Sequence, residues 1–283
     1  MKSLHFALIG ENIEYSLSPR IFEAIFKQLR VEGQFEVHSF HAAELPSRLR
    51  QMSLDGITGV SITIPHKQAV IPHLDDIGPI ANAVQAVNSI VVQDGQLYGY
   101  NTDCFGLSYG LRPHRARLGG GAAVIVGSGG AARAAIQALH KDFSIHRFLI
   151  AGRTPEKATA TVEQMQTALS GAAITTISLG DVVSMMKDAS LVVNCTPLGG
   201  PNYVDKSPFP SGLDFRNVKL YYDLNYNTGN KLVAAARDAG IIALDGSAML
   251  VAQALRSFDI WTGQTVDFDP VYEATFGKPV SRQ

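Results

Sequence analysis

The sequence has little of what marks several specialised classes of protein. Its 283 residues include two cysteines, Cys104 and Cys195, which are too few for a disulfide framework or a cysteine-rich metal site. The 24 lysines and arginines are balanced by 25 aspartates and glutamates, so no excess of positive charge points to a nucleic-acid partner. Apolar residues nevertheless make up 46% of the chain and charged residues 17%, which excludes a disordered protein.

Long hydrophobic runs are also absent. The nearest candidate, residues 122–139, is interrupted by glycines and an arginine and would not span a membrane. The apolar stretch near the N-terminus is too short for the core of a signal peptide. The eight histidines are scattered, and His38 and His41 are predicted to lie on strands, so no metal site is expected. We therefore expect a cytoplasmic protein with reduced cysteines and no membrane partner.

The length suggests roughly two domains, and the N-terminal third mixes strands with helices. An apolar strand is predicted at Phe6–Ile9, and a helix is predicted to begin at Ser18 as its N-cap, with Pro19 at the first helical position. Asn88–Val92 and Leu97–Tyr100 are predicted to form a hairpin.

Residues 57–64 alternate between apolar and polar side chains, which predicts a strand that Pro65 ends. One face of that strand is expected to hold the apolar residues Val60, Ile62 and Ile64.

The middle of the chain has a different pattern, in which short apolar runs alternate with helical segments. Such a pattern is typical of a doubly wound parallel sheet. The predicted strands are Ala123–Val126, Phe148–Ala151, Thr175–Ser178, Leu191–Asn194, Leu220–Leu224 and Ile241–Leu244. We expect a two-domain α/β fold, with an N-terminal α/β domain over residues 1–105 and a Rossmann-type domain over 106–246. A last helix, from Ser247 to about Trp261, is expected to return to the first domain, which residues 247–283 complete.

A glycine-rich turn lies between the first middle strand and the helix that follows it. The residues Gly127-Ser128-Gly129-Gly130-Ala131-Ala132 have the G-x-G-x-x-A form of a dinucleotide fingerprint. Gly127 would allow the tight turn, and Gly129 would let backbone N–H groups approach a pyrophosphate at the positive end of the helix. A purely structural turn is the alternative, although the strand and helix on either side favour a nucleotide.

The end of the second middle strand indicates which dinucleotide binds. An NAD site would place an acidic residue there to bond the ribose 2′-hydroxyl. This chain has Gly152, Arg153 and Thr154, with Lys157 a helical turn later. Two cations in place of a carboxylate suit a 2′-phosphate, so NADP is the predicted cofactor. The alternative is that Arg153 is only a solvated charge.

Three polar clusters in the first domain are candidates for a substrate site: residues 15–19, residues 63–67, and Asn88 with residues 101–103. Their hydroxyls, amides, lysine and aspartate would suit a polyhydroxylated carboxylate. Each has a simpler alternative, because Ser18 could only cap a helix, Lys67 could be an ordinary solvated lysine, and Asp103 could cap the next helix.

Taken together, the clusters resemble the shikimate dehydrogenase family. The strings YSLSP, TIPHK, AVNS, YNTD, GSGGAA, GRT, NCTPLG and GSAMLVAQ occur in that family's order, from Gly10 to about Gly263. The resemblance implies NADPH-dependent, reversible reduction of 3-dehydroshikimate to shikimate in aromatic amino-acid biosynthesis. It also implies a substrate domain and an NADP domain facing each other across a cleft.

The resemblance assigns the individual residues as follows. Ser16 and Ser18 would bind the substrate carboxylate. The ring hydroxyls would be contacted by Thr63, Lys67, Asn88, Asp103 and Gln253, with Tyr226 beside them. The pyrophosphate would be held by Gly127, Ser128, Gly129, Gly130 and Ala131. The adenosine end would be held by Gly152, Arg153, Thr154 and Lys157, and the nicotinamide side would be lined by Leu224, Gly246 and Met249.

Several positions depart from the family pattern. Ser61 and Gly152 stand where asparagine is usual, and the loop 227–231 lacks the expected proline and threonine. These departures bear on substrate choice, so a relative that prefers quinate, with NAD or with both cofactors, is the alternative. A non-catalytic NADP-sensing module is a second alternative, but it would not need Lys67, Asp103 and Gln253 together.

The chemistry needs a group that moves a proton to or from the substrate oxygen. Lys67 and Asp103 are the two candidates, and we assign Lys67 as the principal acid and base, with Asp103 orienting it. The reverse assignment stays open at this point. A homodimer is a further expectation, with a small-molecule substrate as the main partner.

Overall fold

The computed structural model describes residues 4–186, 189–209, 215, 218–227 and 229–277. These residues form two compact units. The first unit contains the chain up to Gly106 and again from Val251, and the second contains Leu107–Leu250. Residues 278–283, which were expected to belong to the first domain, lie outside the described part of the chain. Thr228 of the 227–231 loop lies outside it as well.

The first unit is built on a six-stranded mixed sheet. Its strands are β1 (Leu4–Gly10), β2 (Gly33–Ser39), β3 (Gly59–Ile62), β4 (Asp76–Ile77), β5 (Ser89–Gln93) and β6 (Gln96–Tyr100), in the order β2-β1-β3-β5-β6-β4. Strands β2, β1 and β3 run parallel, while β5 is antiparallel to both β3 and β6. The helices among these strands are α1 (Ser18–Leu29), α2 (Leu45–Leu54), α3 (His66–Ala69) and α4 (Pro79–Val84). Helix α5 (Asp103–Leu111) follows β6 and continues into the second unit.

The structure confirms two of three strand predictions for this unit and corrects the third. The first strand and the β5–β6 hairpin are confirmed. A strand was predicted over 57–64, whereas β3 contains only the four residues Gly59–Ile62. All four are buried, and Ile64, which lies beyond the strand, is 53% exposed. The predicted bounds were therefore two residues too wide at each end. Within β3, the polar Ser61 is buried as well as Val60 and Ile62, so both faces of the strand are covered.

The start of α1 also differs from the prediction. Ser18 is the first residue of the helix, and the N-cap is Leu17, whose apolar side chain makes no capping bond. The hydroxyl of Ser16 instead accepts a hydrogen bond from the backbone N–H of Ser18 at 3.2 Å. The prediction of Ser18 as N-cap was wrong, because the helix already begins at Ser18, and the Ser18 hydroxyl accepts from Ser16 Oγ at 3.1 Å.

The second unit contains a parallel sheet of six strands, as predicted. They are β7 (Ala122–Val126), β8 (Arg147–Ala151), β9 (Ala173–Ile177), β10 (Leu191–Asn194), β11 (Leu220–Asp223) and β12 (Ile242–Leu244). Every residue of β7, β10 and β11 is buried, which explains their continuous apolar runs. The helices are α6 (Arg115–Leu118), α7 (Gly130–Phe143), α8 (Pro155–Ala168), α9 (Val182–Met186) and α10 (Lys231–Asp238).

The strand order of this sheet places a ligand site at its centre. The order is β12-β11-β10-β7-β8-β9, so the chain progresses outward in opposite directions from the adjacent strands β7 and β10. Ligands of open parallel sheets bind beyond the carboxyl ends of the strands at such a reversal. The glycine turn after β7 and the loop after β10 lie there.

Two helices complete the described chain. The predicted helix from Ser247 is confirmed as α11 (Ser247–Thr262), but it is not the last, because α12 (Phe268–Phe276) follows it. On the first sheet, Phe258 and Trp261 of α11 contact the ring of Phe6, with ring centroids 6.0 and 4.8 Å away. Within the described ranges, the helices are all too short or too polar to cross a bilayer.

Candidate active site

One edge of the first sheet collects the polar clusters that the sequence singles out. The carboxyl ends of β1, β3 and β6 meet the amino end of β5 at this edge, because Ile9 pairs with Ile62, Ser61 with Ser89, and Ser89 with Tyr100. The loops that leave this edge carry the predicted substrate-site residues of the N-terminal region. They are Ser16, Ser18, Thr63, Lys67, Asn88 and Asp103.

Lys67 lies on the four-residue helix α3, held on two sides. The ring of its neighbour His66 is fully buried, and its Nε2 contacts the carbonyl oxygen of Phe40 at 2.9 Å. The carbonyl oxygen of Lys67 accepts a hydrogen bond from the backbone N–H of Val87 at 2.8 Å. These contacts fix the backbone from which the lysine side chain extends.

The side chains of Lys67 and Asp103 form an ion pair. Lys67 Nζ donates to Asp103 Oδ2 at 2.6 Å, and the side chains are 20% and 5% exposed. The second oxygen of Asp103, Oδ1, accepts a hydrogen bond from Asn88 Nδ2 at 3.0 Å. The carboxylate is therefore oriented from both sides, with one oxygen directed to the lysine.

Asn88 connects this pair to the rest of the site. Its Nδ2 lies 2.9 Å from Thr102 Oγ1 and 3.2 Å from Gln253 Oε1, and its Oδ1 accepts a hydrogen bond from the Thr102 N–H at 2.6 Å. Thr102 also hydrogen-bonds Ser257 of α11 through its hydroxyl, at 3.0 Å. The structure thus brings Lys67, Asn88, Asp103 and Gln253 together. Thr102 was missed, although it stands in the YNTD string.

The remaining predicted residues of this unit form a neighbouring group. Ser16 Oγ donates to Ser18 Oγ at 3.1 Å, so the two hydroxyls lie side by side at the start of α1. Thr63 follows β3, and its backbone N–H donates to the carbonyl of Ile9 at 2.9 Å. Its Cγ2 occupies the space next to Gly10, where an added Cβ would come within 2.6 Å.

The glycine turn of the second unit fits a bound pyrophosphate. Gly127 has φ +117°, and a Cβ there would meet the backbone of Cys195 at 3.2 Å, so a glycine is needed on both counts. Gly129 precedes α7, and a Cβ added to it would meet no atom within 4 Å. The backbone is therefore open where the N–H groups at the start of α7, from Gly130 and Ala131, face a ligand.

The segment after β8 carries exposed positive charge. Arg153 and Lys157 are exposed, and Thr154 is the N-cap of α8 without a side-chain capping bond. Gly152 lies against the glycine turn, where an added Cβ would come 3.1 Å from Ser128 Oγ. Their assignment to the adenosine end of the cofactor stays a prediction.

The loop after β11 and the start of α11 are in close contact within the second unit. A Cβ on Gly246 would come 2.1 Å from the carbonyl oxygen of Leu224, so only glycine fits there. The N–H of Gly246 donates to the carbonyl of Asn225 at 2.8 Å. Met249 is buried in the first turn of α11, and Tyr226 is half-buried in the preceding loop.

Asp223 is a buried carboxylate that sequence reasoning missed. It ends β11, and its oxygens accept hydrogen bonds from Asn194 Nδ2 at 3.0 Å, Tyr221 Oη at 2.8 Å and Asn225 Nδ2 at 2.7 Å. Burial raises the pKa of this carboxyl, and the hydrogen bonds from Asn194 and Asn225 oppose the shift. An aspartate at the carboxyl end of a buried strand was the available signal.

The Asp223 network fixes two loops to one another. Asn194 Nδ2 donates to the carbonyl of Leu198 at 3.0 Å, and Asn225 Nδ2 donates to the carbonyl of Thr196 at 3.0 Å. The loop after β10 is thereby tied to the loop that begins at Leu224. Across the described ranges, groups of three or more potential metal-ligating side chains with suitable geometry are absent.

Comparison with known proteins identifies the family. A model of the shikimate dehydrogenase substrate binding domain matches residues 8–90, and one of the shikimate 5′-dehydrogenase C-terminal domain matches residues 246–275. Residues 123–205 match a saccharopine dehydrogenase NADP binding domain. These matches cover both the lysine-bearing sheet edge and the glycine turn.

Relatives and solved structures agree with these matches. A shikimate dehydrogenase (NADP(+)) from Prosthecochloris aestuarii is 35% identical over 278 residues, which cover 96% of this chain and 95% of that protein. The structure of shikimate 5-dehydrogenase from Thermus thermophilus with NADP(H) and shikimate has a TM-score of 0.83 at 30% identity, covering 96% and 98% of the two chains. A quinate dehydrogenase from Corynebacterium glutamicum with NAD has a TM-score of 0.87 at 26% identity, covering 98% and 99%. The resemblance seen in the sequence is thus confirmed, and the chain belongs to the shikimate dehydrogenase family.

Proposed function

We propose that this protein is an NADP-dependent oxidoreductase that interconverts 3-dehydroshikimate and shikimate in aromatic amino-acid biosynthesis. The observation that carries this proposal is the oriented ion pair of Lys67 and Asp103, set among the amides of Asn88 and Gln253. Reduction of a carbonyl beside ring hydroxyls needs a proton donor within a set of hydrogen-bonding groups. This sheet edge supplies both, in a chain of the matching family.

Lys67 acts as the acid in the reducing direction. Bound NADPH supplies the hydride that reduces the C3 carbonyl carbon of the substrate. The Lys67 ammonium donates a proton to the carbonyl oxygen, which becomes a hydroxyl. In the oxidising direction, the neutral amine takes that proton back. Asp103 orients the ammonium through the 2.6 Å bond and offsets its charge.

The other side chains of this edge orient the ring. Asn88, Gln253 and Thr63 hydrogen-bond the ring hydroxyls. The paired hydroxyls of Ser16 and Ser18 lie at the positive end of α1, where a carboxylate is favoured. The substrate class is therefore a polyhydroxylated cyclic carboxylate.

The second unit holds NADP. The residues from Gly127 to Ala131 bind the pyrophosphate with backbone N–H groups, which fits the open Gly129 and the left-handed Gly127. The adenosine end of NADP is bound by Gly152, Arg153, Thr154 and Lys157. The nicotinamide ring is lined by Leu224, Gly246 and Met249. The described residues 152–155, which directly follow β8, include no carboxylate, and this favours NADP over NAD.

Quinate oxidation with NAD is the second candidate, because the quinate dehydrogenase from Corynebacterium glutamicum is a structural neighbour with a TM-score of 0.87. The deciding experiment follows the absorbance of reduced nicotinamide with shikimate and with quinate, each with NADP and with NAD. Shikimate oxidation with NADP should give the highest kcat/KM. A higher value for quinate with NAD would contradict the proposed function.

We also propose that the reaction takes place in the cytoplasm and that the protein acts as a homodimer. Cys104 and Cys195 are not joined by a disulfide, which suits a reducing compartment. Light scattering on the purified protein tests the assembly, and a mass of one chain would contradict the dimer. Cell fractionation tests the location.

A further inference from the structure

The glycine turn is held from behind by a buried threonine. Thr161 of α8 is fully buried, and its Oγ1 donates to the carbonyl oxygen of Ser128 at 2.9 Å. A buried hydroxyl of this kind rarely lies in a helix without a partner. The bond joins α8 to the turn between β7 and α7, and it fixes the backbone of Ser128.

The side chain of Ser128 lies in the space that is left because Gly152 has no side chain. An added Cβ on Gly152 would come 3.1 Å from Ser128 Oγ and 3.3 Å from the Cβ of Ala158. Both distances are tighter than ordinary van der Waals contact, so a side chain at position 152 would press on the hydroxyl. The serine hydroxyl therefore lies directly beside the segment that continues into Arg153.

The position of this hydroxyl suggests what it binds. Hydrogen bonds to a charged acceptor are stronger than those to a neutral one. A phosphate group can therefore accept strong hydrogen bonds from an arginine and from a hydroxyl at the same time. Arg153 and Lys157 are exposed on the adjoining segment. We propose that the Ser128 hydroxyl, held in place through Thr161 and given room by Gly152, is a specificity-determining contact to the 2′-phosphate of the dinucleotide. This inference rests on the proposed function and names one more residue of its cofactor site.

The test measures binding of two small probes to the full chain by calorimetry. Adenosine 2′,5′-bisphosphate carries the 2′-phosphate, and ADP carries a 5′-diphosphate without it. Ser128→Ala should weaken binding of the bisphosphate by about tenfold, the lower end for a bond to a charged group, and change ADP binding less than twofold. An equal loss for both probes would place the hydroxyl on the pyrophosphate and overturn the inference.

Thr161 offers a matched pair of variants. Thr161→Val keeps the shape of the side chain but removes the donor, whereas Thr161→Ser keeps the donor. We expect Thr161→Val to lower the preference for the bisphosphate over ADP at least threefold, and Thr161→Ser to restore it. Thermal unfolding of each variant separates this effect from a loss of fold. A preference that stays unchanged in folded Thr161→Val would contradict the positioning role.

The same measurements separate this inference from the proposed function. If the unaltered protein binds ADP as tightly as the bisphosphate, the NADP assignment itself fails. If the unaltered protein prefers the bisphosphate and Ser128→Ala keeps that preference in full, only the role of Ser128 fails. A selective loss in Ser128→Ala supports both.

Discussion

Lys67 Nζ and Asp103 Oδ2 lie 2.6 Å apart although 36 residues separate them in the chain. They meet because β3 and β6 both end at the same edge of the first sheet, and α3 and α5 begin there. Burial of the Asp103 side chain, which is 5% exposed, keeps solvent from screening the pair. The other carboxylate oxygen of Asp103, Oδ1, accepts a hydrogen bond from Asn88 Nδ2.

Removing the lysine tests the proton step. Lys67→Met should lower kcat by about 10²–10⁴, because a positioned acid is lost, with a much smaller change in KM for either ligand. Steady-state kinetics of shikimate oxidation measure both parameters. Asp103→Asn should lower kcat and also raise the KM for shikimate. The double variant should be little worse than Lys67→Met alone, since the two groups act as a unit. A near-normal kcat in Lys67→Met would assign the proton to another group.

Arg153 tests the choice of cofactor. Arg153→Ala should raise the KM for NADP roughly ten- to a hundredfold and leave the KM for NAD nearly unchanged, because a charge-assisted bond to the 2′-phosphate is lost. Arg147→Ala is the matched control, since this exposed arginine lies at the opposite end of β8. Equal use of NADP and NAD by the unaltered protein would contradict the assignment.

The serine pair tests substrate capture. Ser16→Ala should raise the KM for shikimate while leaving the thermal midpoint close to that of the unaltered protein. Ser18→Ala should also weaken shikimate binding, and no helix cap is lost with it because the N-cap of α1 is Leu17. A Ser16→Ala variant with an unchanged KM for shikimate would place the carboxylate site elsewhere.

Asp223 tests the network that joins the two loops of the second unit. Asp223→Asn replaces an oxygen acceptor with a donor, so at least one buried donor among Asn194, Tyr221 and Asn225 loses its partner. Such a loss costs about 1–3 kcal/mol, which should lower the urea midpoint, and it should raise the KM for NADP by loosening Leu224. Asp238→Asn, an exposed position at the end of α10, is the control. An unchanged midpoint would show that the network adds nothing to stability.

His114 tests the effect of pH on stability. Burial and the charge of Arg117 lower the pKa of this histidine below its ordinary value of 6.5, and the residue is 5% exposed. The unfolded chain therefore takes up a proton at a higher pH than the folded protein does. Its contribution to stability is present above pH 6.5 and declines as the pH falls toward the lowered pKa. The urea midpoint of His114→Gln should fall less between pH 7 and pH 5.5 than that of the unaltered protein, with His73→Gln as the exposed control.

Much of the second unit was predictable because its signals are local. Strand β7 is a continuous apolar run, β10 and β11 are apolar runs that end in one polar residue, and the parallel sheet buries every residue in them. The turn at Gly127 depends on a left-handed backbone, which glycine adopts readily. Neither signal needs knowledge of distant residues.

The first unit was harder to predict where neighbours override local pattern. The alternation over 57–64 predicted a longer strand than the four residues of β3, because the chain leaves the sheet after Ile62. Ser18 had the residue type of an N-cap, yet the helix begins one residue earlier than predicted and includes Ser18. The short helix α3 that carries Lys67 was not anticipated, since four residues are too few for a periodic signal.

The sequence by itself determined the parallel sheet of the second unit, the nucleotide turn, and the residue types of the site, because these follow from hydrophobic pattern and backbone preference. Only the tertiary structure decided which polar groups touch. Asn88 bonds Gln253 across 165 residues, and Asp223 gathers donors from two loops. The order of strands in a sheet sets such contacts, and that order depends on how the whole chain buries its apolar surface.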